Sequence, residues 1–81
     1  MLADMKMMPS GPVEHVVDGV EGATLVFKCP VRSGFIMYGF KDRQLRYNIP
    51  EGTTVLTINN NTMLGDPAPG IRKSWIAKYV C

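Results

Sequence analysis

The sequence predicts an all-β protein: a small single-domain barrel or sandwich of about six short antiparallel strands, preceded by an N-terminal arm. Apolar and polar residues alternate over several short segments, which is the pattern of half-buried strands. Turn-forming Gly, Pro, Asn and Asp separate these segments at intervals of about 8–12 residues. With 81 residues, the chain has the length of one domain with a small core.

The centre of the chain carries the clearest strand signals. Residues 43–49 alternate between an apolar side and a polar side, which predicts one face on the core and one in water. Residues 34–40 are apolar on both sides, so we expect both faces of that strand to be covered, by the rest of the domain or by a partner. Pro50 and Gly52 predict a turn. The β-branched residues of 53–58 predict the next strand.

Three further strands are predicted outside this centre. The first covers residues 13–17 and is expected to end at the turn signal Asp18-Gly19. The second covers residues 23–29 and stops at Pro30, because proline cannot donate a hydrogen bond to a neighbouring strand. The last covers residues 74–81 and is expected to pair with an earlier strand. Residues 13–81 therefore form the predicted β domain.

Residues 1–12 are predicted to be the arm. Four of the six methionines lie in the first eight residues, and apolar residues recur there at helical spacing. A helix of about eight residues is marginal in water, so an ordered arm would need a surface to bind. Flexible methionine side chains suit such a contact, although a frayed chain end is the simpler interpretation. The arm residues predicted to contact a partner are Leu2, Met5, Met7 and Met8.

Residues 59–73 have no clear periodicity and are rich in Asn, Pro and Gly. An unstructured loop of about 15 residues is uncommon in a compact domain and is usually functional or disordered. If the segment is a loop, its apolar side chains are expected to be exposed. We therefore predict that Met63, Leu64 and Ile71 contact a partner protein.

Cys29 and Cys81 are too few for a metal site or a disulfide framework. Two reduced thiols are expected, because nothing in the sequence indicates an oxidising compartment, and whether the two residues meet is open. Neither a membrane-spanning apolar run nor a secretory signal is visible. The prediction is therefore a protein made in the cytoplasm and then associated with a larger assembly such as a virion.

Catalytic chemistry is not predicted. His15 is the one histidine, and it lies among valines, where a packing role is the more common one. The sequence has no glycine-rich phosphate loop, metal-ligand spacing or nucleophile motif. We expect a non-enzymatic protein without a cofactor, metal or small-molecule substrate.

Binding of single-stranded nucleic acid is an alternative. Small barrels bind single strands by stacking bases on aromatic rings beside basic residues. Residues 28–81 carry eight basic and three acidic side chains, and Lys41, Arg43 and Arg46 are the predicted contacts. The objection is that Arg46 and the aromatic Tyr47 point to opposite faces of the same strand.

The favoured hypothesis is assembly through protein contacts. The apolar arm, the strand that is apolar on both sides and the long loop all fit a subunit that binds copies of itself or a larger lattice. A small all-β subunit with an arm and a long loop suits an accessory position in a viral (phage) particle, such as that of a capsid cement, decoration or head–tail protein. This hypothesis rests on an analogy of architecture and not on a sequence motif. A small inhibitor of a host or defence protein is a further alternative.

Overall fold

A computed structural model describes residues 13–81 of the chain, and the predicted arm lies outside the described residues. Within them the protein is all-β, with six strands in two antiparallel sheets and no helix. The strands are β1 (Glu14–Val20), β2 (Thr24–Val26), β3 (Ser33–Phe40), β4 (Arg43–Asn48), β5 (Val55–Thr57) and β6 (Ser74–Val80). All six predicted strands are thus present.

Four strands form the larger sheet in the order β1-β6-β3-β4, and β2 pairs with β5 in the smaller one. The last strand therefore lies in the middle of the larger sheet, where Ala77 pairs with Val17 of β1 on one side and Ile36 of β3 on the other. On the far side of β3, Ile36 pairs with Tyr47 of β4. The prediction that the last strand pairs with earlier ones is confirmed.

One face of the larger sheet carries the core. Alternate residues of β3 and β6 are buried there, including Tyr38, Trp75 and Tyr79. Leu25 and Leu56, which pair across the smaller sheet, pack into the same cluster. The fully buried side chains of greatest volume are Tyr38, Tyr79, Ile36, Ile58, Met63 and Val31. Along β6 the buried residues Trp75, Ala77 and Tyr79 alternate with less buried ones, as expected for a strand with one face on the core.

The first strand is longer than predicted, because Asp18 and Gly19 lie inside β1 instead of forming a turn. Gly19 makes room for the side chain of Trp75, because a Cβ atom at position 19 would lie only 2.5 Å from Cζ2 of Trp75. The indole N–H of Trp75 donates to the carbonyl of Val20 at 2.9 Å. The chain turns instead at Gly22, whose φ of 95° lies in the left-handed region that favours glycine.

The expectation of two reduced thiols is wrong, because Cys29 and Cys81 form a disulfide with a Cα–Cα distance of 5.7 Å. The pairing of Ser33 with Val80 brings the end of β6 to the start of β3. The amide of Arg32 also donates to the carbonyl of Val80 at 2.8 Å. The end of the chain thus meets the segment that follows β2, and the sequence alone contains no signal for this meeting.

Residues 59–73 contain no strand or helix, but they are not a loose loop. The amide of Met63 donates to the carbonyl of Asn59 at 2.9 Å, and the side chain of Met63 is only 2% exposed. Its predicted exposure is therefore wrong: the loop folds back and contributes Met63 to the core. Leu64 and Ile71 are exposed, as expected.

No helix in residues 13–81 is long and apolar enough to cross a membrane.

Candidate functional site on the outer face of the larger sheet

The larger sheet has a second face, opposite the core, and no described element covers it. We call this the outer face. The residues that point to it alternate with the buried ones on each strand. They are Glu14, Val16, Asp18 and Val20 of β1, Ser74, Ile76, Lys78 and Val80 of β6, Ser33, Phe35, Met37 and Gly39 of β3, and Gln44, Arg46 and Asn48 of β4.

The apolar part of the outer face is contiguous. Met37 pairs with Ile76, and Phe35 of the same strand lies two residues away on the same side. All three side chains are only partly buried, and Val16 on the neighbouring edge strand is 55% exposed. Within residues 13–81, the strand that the sequence predicts to be covered on both sides has the core on one side and no covering element on the other. Contiguous exposed apolar patches are a common feature of protein contact surfaces.

A first depression of about 430 Å³ lies at the end of the outer face where β1 begins. In its wall the guanidinium of Arg46 stacks on the ring of Phe35, with 4.0 Å between Cζ and the ring centre. The Nε of Arg46 also donates to Oδ1 of Asn48 at 3.3 Å. Arg46 is thus held flat on the sheet, and its alkyl stem adds to the apolar surface.

A second depression of about 420 Å³ lies at the other end of the same face. Met37, Ile76 and Val20 line it, together with the small Ser74 in the middle of the sheet. Gly39 pairs with Ser74, so the centre of this end carries almost no side-chain volume. Depressions therefore lie at both ends of the outer face.

Charges of both signs border the apolar patch. Glu14 and Asp18 lie on the edge strand β1, whereas Lys78 lies on β6 and Arg46 on the opposite edge strand β4. Acidic side chains thus occupy one edge and basic side chains the centre and the other edge. A balanced, patterned surface of this kind suits a protein partner better than a polyanion.

The structure does not bring the three predicted nucleic-acid contacts together. Arg43 pairs with Phe40 and points to the side of the sheet opposite Arg46. Lys41 lies in the turn between β3 and β4, with its Nζ 5.3 Å from the ring centre of Phe40. Arg46 alone reaches the outer face, where its aromatic neighbour is Phe35 and not Tyr47.

The predicted loop contacts lie away from the outer face. Gly65 lies beside Leu45, which packs against the core, so this part of the loop covers the core side of β4. Leu64 is 83% exposed and has a φ of 65°, which is unusual for a residue other than glycine. Leu64 and Ile71, which is 40% exposed, are thus exposed apolar residues of the loop that do not line either depression of the outer face.

An ionic cluster around the buried Lys73 anchors the loop to the core. Nζ of Lys73, whose side chain is 3% exposed, lies 2.6 Å from Oδ1 of Asp66. The backbone amide of Lys73 donates to Oε1 of Glu21 at 3.0 Å. The hydroxyl of Tyr38 donates to Oδ1 of Asn60 at 2.6 Å. Burial, followed by the nearby carboxylates of Glu21 and Asp66, raises the pKa of Tyr38 to about 12.

This cluster pairs its own charges and has a structural role. Among residues 13–81, no group of three or more His, Cys, Asp or Glu side chains is placed to hold a metal ion. His15 packs against the ring of Tyr79, with 5.0 Å between the ring centres. The outer face is therefore the candidate site.

Sequence reasoning did not assign Phe35, Met37, Ile76 or Lys78 to a site. The signal was present in part, since residues 34–40 are apolar on both sides. It could not be developed without the strand order, which places Ile76 beside Met37. No protein-family model, curated protein or solved structure matches the chain.

Proposed function

We propose that the protein is a non-enzymatic assembly protein that works through protein contacts on the outer face, with copies of itself or with a larger lattice. One observation carries the proposal: the larger sheet presents a contiguous apolar patch, formed around Phe35, Met37 and Ile76, that no described element covers. Burial of apolar area is worth about 25 cal/mol per Å², so covering this patch would stabilise a complex.

The composition of the outer face supports the proposal. Phenylalanine, methionine and arginine are enriched in protein interfaces, and Phe35, Met37 and Arg46 lie together here. The patch lies on hydrogen-bonded strands, so association would require little ordering of the backbone. The acidic and basic residues at its border supply orientation rather than affinity.

The class of protein that fits best is an accessory subunit of a larger particle, such as a viral capsid cement, decoration or head–tail protein. This part of the proposal rests on architecture, namely a small β domain with an apolar arm. We also infer that the two sheets enclose the core as a small sandwich or barrel, since Leu25 and Leu56 pack against the larger sheet. The arm residues Leu2, Met5, Met7 and Met8 are proposed as a second contact.

Met37→Glu tests the proposal, because it places a charge in the centre of the patch. We expect the parent protein to self-associate in a concentration-dependent way in light scattering behind a sizing column, and Met37→Glu to remain monomeric. Val26→Glu is the matched control, since Val26 is apolar and 71% exposed but lies on the smaller sheet. If the parent and Met37→Glu have the same mass at every concentration, the outer face is not a surface for self-association.

Nucleic-acid binding remains a second candidate because of one observation. Arg32, Arg46 and Lys78 line the first depression together with Phe35, which is a basic and aromatic group. Against it, Glu14 and Glu51 line the same depression, and Arg46 already stacks on the Phe35 ring. A base would have to displace that guanidinium or stack upon it.

Fluorescence anisotropy with a labelled single-stranded oligonucleotide at low salt tests this candidate. If it is correct, Arg46→Glu abolishes binding, whereas Arg43→Glu on the other side of the sheet weakens it only modestly. Absence of binding by the parent, or equal loss in the two variants, removes the outer face as a nucleic-acid site.

A further inference from the structure

We propose that the occupant of the outer face is a second copy of this chain, with the two larger sheets packed face to face about a two-fold axis that runs parallel to the strands between β6 and β3. This inference rests on the proposed function and specifies its partner and geometry. It follows from the order of side chains across the sheet, which is self-complementary about that axis.

The decisive row crosses all four strands. In register across the sheet lie Asp18, Ile76, Met37 and Arg46, in that order. Rotation by 180° about an axis between β6 and β3 places β1 of one copy over β4 of the other. Asp18 then faces Arg46 at both ends of the row, and Ile76 faces Met37 in the middle. A closed two-fold interface requires this kind of self-complementarity.

The next row agrees with the same axis. It contains Val16, Lys78, Phe35 and Asn48 in register. The rotation places Lys78 over Phe35 of the other copy, whose ring the guanidinium of Arg46 covers in the single chain. Association therefore requires Arg46 to turn from Phe35 toward Asp18 of the other copy, which frees the ring for a cation–π contact with Lys78. The rotation also places Val16 over Asn48.

An axis perpendicular to the strands does not give this match. A two-fold axis perpendicular to the strands and placed between the two rows would lay each strand over the same strand of the other copy. Asp18 would then face Val16, and Arg46 would face Asn48. The opposite charges of the two edge strands would remain unpaired across the interface. The charge pattern therefore selects the axis parallel to the strands.

The size of the face fits a reversible dimer. Four strands spaced about 4.8 Å apart, each of about seven residues rising about 3.3 Å, cover on the order of 400 Å² in projection. The accessible area removed from two copies exceeds twice that projection and approaches the lower limit of about 1,000 Å² for a specific interface. We therefore expect a dimer that dissociates on dilution, with the two sheets about 10 Å apart.

Exchange of the paired charges tests the geometry. Asp18→Arg gives a chain with arginine at both ends of the decisive row, and Arg46→Asp gives one with aspartate at both ends. Each variant alone is expected to dimerise at least tenfold more weakly than the parent, because like charges face each other. An equimolar mixture is expected to recover dimers, since every arginine then faces an aspartate. Sedimentation equilibrium measures both constants.

The controls keep the test independent of folding. Asp18 and Arg46 are both exposed, so at concentrations where all the proteins are monomeric the variants should keep the thermal unfolding midpoint of the parent within a few degrees. Asp42→Arg and Arg43→Asp make the same changes of charge at the β3–β4 turn, and they are expected to leave dimerisation unchanged.

Two results separate the failure of this geometry from the failure of the proposed function. If Met37→Glu abolishes association but the charge-exchange mixture stays monomeric, the outer face is a contact surface and the two-fold geometry is wrong. If Met37→Glu associates like the parent, both are wrong.

Discussion

At the scale of single residues, Tyr38 connects the core to the ionic cluster. Its hydroxyl donates to Asn60, and its pKa is raised from 10.0 to about 12, mainly by burial. The folded protein therefore keeps this proton at a pH where the unfolded chain loses it. The contribution of Tyr38 to stability is complete below pH 10 and is lost as the pH rises through about 12.

We accordingly predict alkaline destabilisation through Tyr38. Between pH 10 and 12 the free energy of unfolding should fall by about 3 kcal/mol from this group, given about 1.4 kcal/mol per unit of pKa shift. Urea unfolding measured across this range checks the slope. Tyr38→Phe is the control, because it cannot ionise and should show a flatter pH dependence. Equal slopes for the parent and Tyr38→Phe would contradict the assignment.

Met63 and Leu64 are neighbours with opposite roles. Met63 is 2% exposed and lies in the core, whereas Leu64 is 83% exposed. Met63→Ala should lower the free energy of unfolding by about 2–5 kcal/mol, the usual range for a buried methionine. Leu64→Ala should change it by less than about 0.5 kcal/mol. Similar losses in both variants, measured by urea denaturation, would contradict the position of the loop.

At the scale of strands and loops, the disulfide joins the end of β6 to the segment after β2, across a sequence separation of 52. A cross-link that closes a loop of this length lowers the entropy of the unfolded chain. This raises the free energy of unfolding by about 4 kcal/mol at 25 °C. Cys29→Ser with Cys81→Ser should lose about that much stability in urea denaturation. A reductant should lower the stability of the parent but not that of the double variant. If the double variant is as stable as the oxidised parent, the disulfide does not stabilise the fold.

The strands themselves were largely predictable, because alternation on β4 and β6 directly reflects one buried and one open face. The errors share a physical cause. The sequence predicts a turn at Gly19, but this glycine leaves room for Trp75, which is 56 positions away in sequence. The sequence also predicts an exposed Met63 and two reduced thiols, whereas Met63 is buried and the cysteines form a disulfide. Each of these depends on contacts between distant segments, which local patterns do not contain.

The candidate site illustrates the same limit. The apolar character of both sides of β3 is visible in the sequence, and the structure shows the core on one of these sides only, within the described residues. Which residues join Phe35 and Met37 depends on the placement of β6 between β1 and β3. The charge pattern across the sheet appears only once that order is known.

At the scale of the whole molecule, the two faces of one sheet have different roles. The inner face holds the core together with β2, β5 and residues 59–73, whereas no element of residues 13–81 covers the outer face, which we propose as the contact surface. A chain of 81 residues has a small core, so burial of a further apolar face between two copies would add to its stability. Association and folding are therefore expected to be linked, with the unfolding midpoint rising with protein concentration.

Sedimentation equilibrium of the parent protein and of Met37→Glu over a wide concentration range tests most directly whether the outer face is a contact surface. We expect a reversible monomer–dimer equilibrium for the parent and a monomer at every concentration for the variant. A parent that remains monomeric throughout, or a Met37→Glu protein that dimerises as strongly as the parent, would contradict the claim that the outer face binds a second copy.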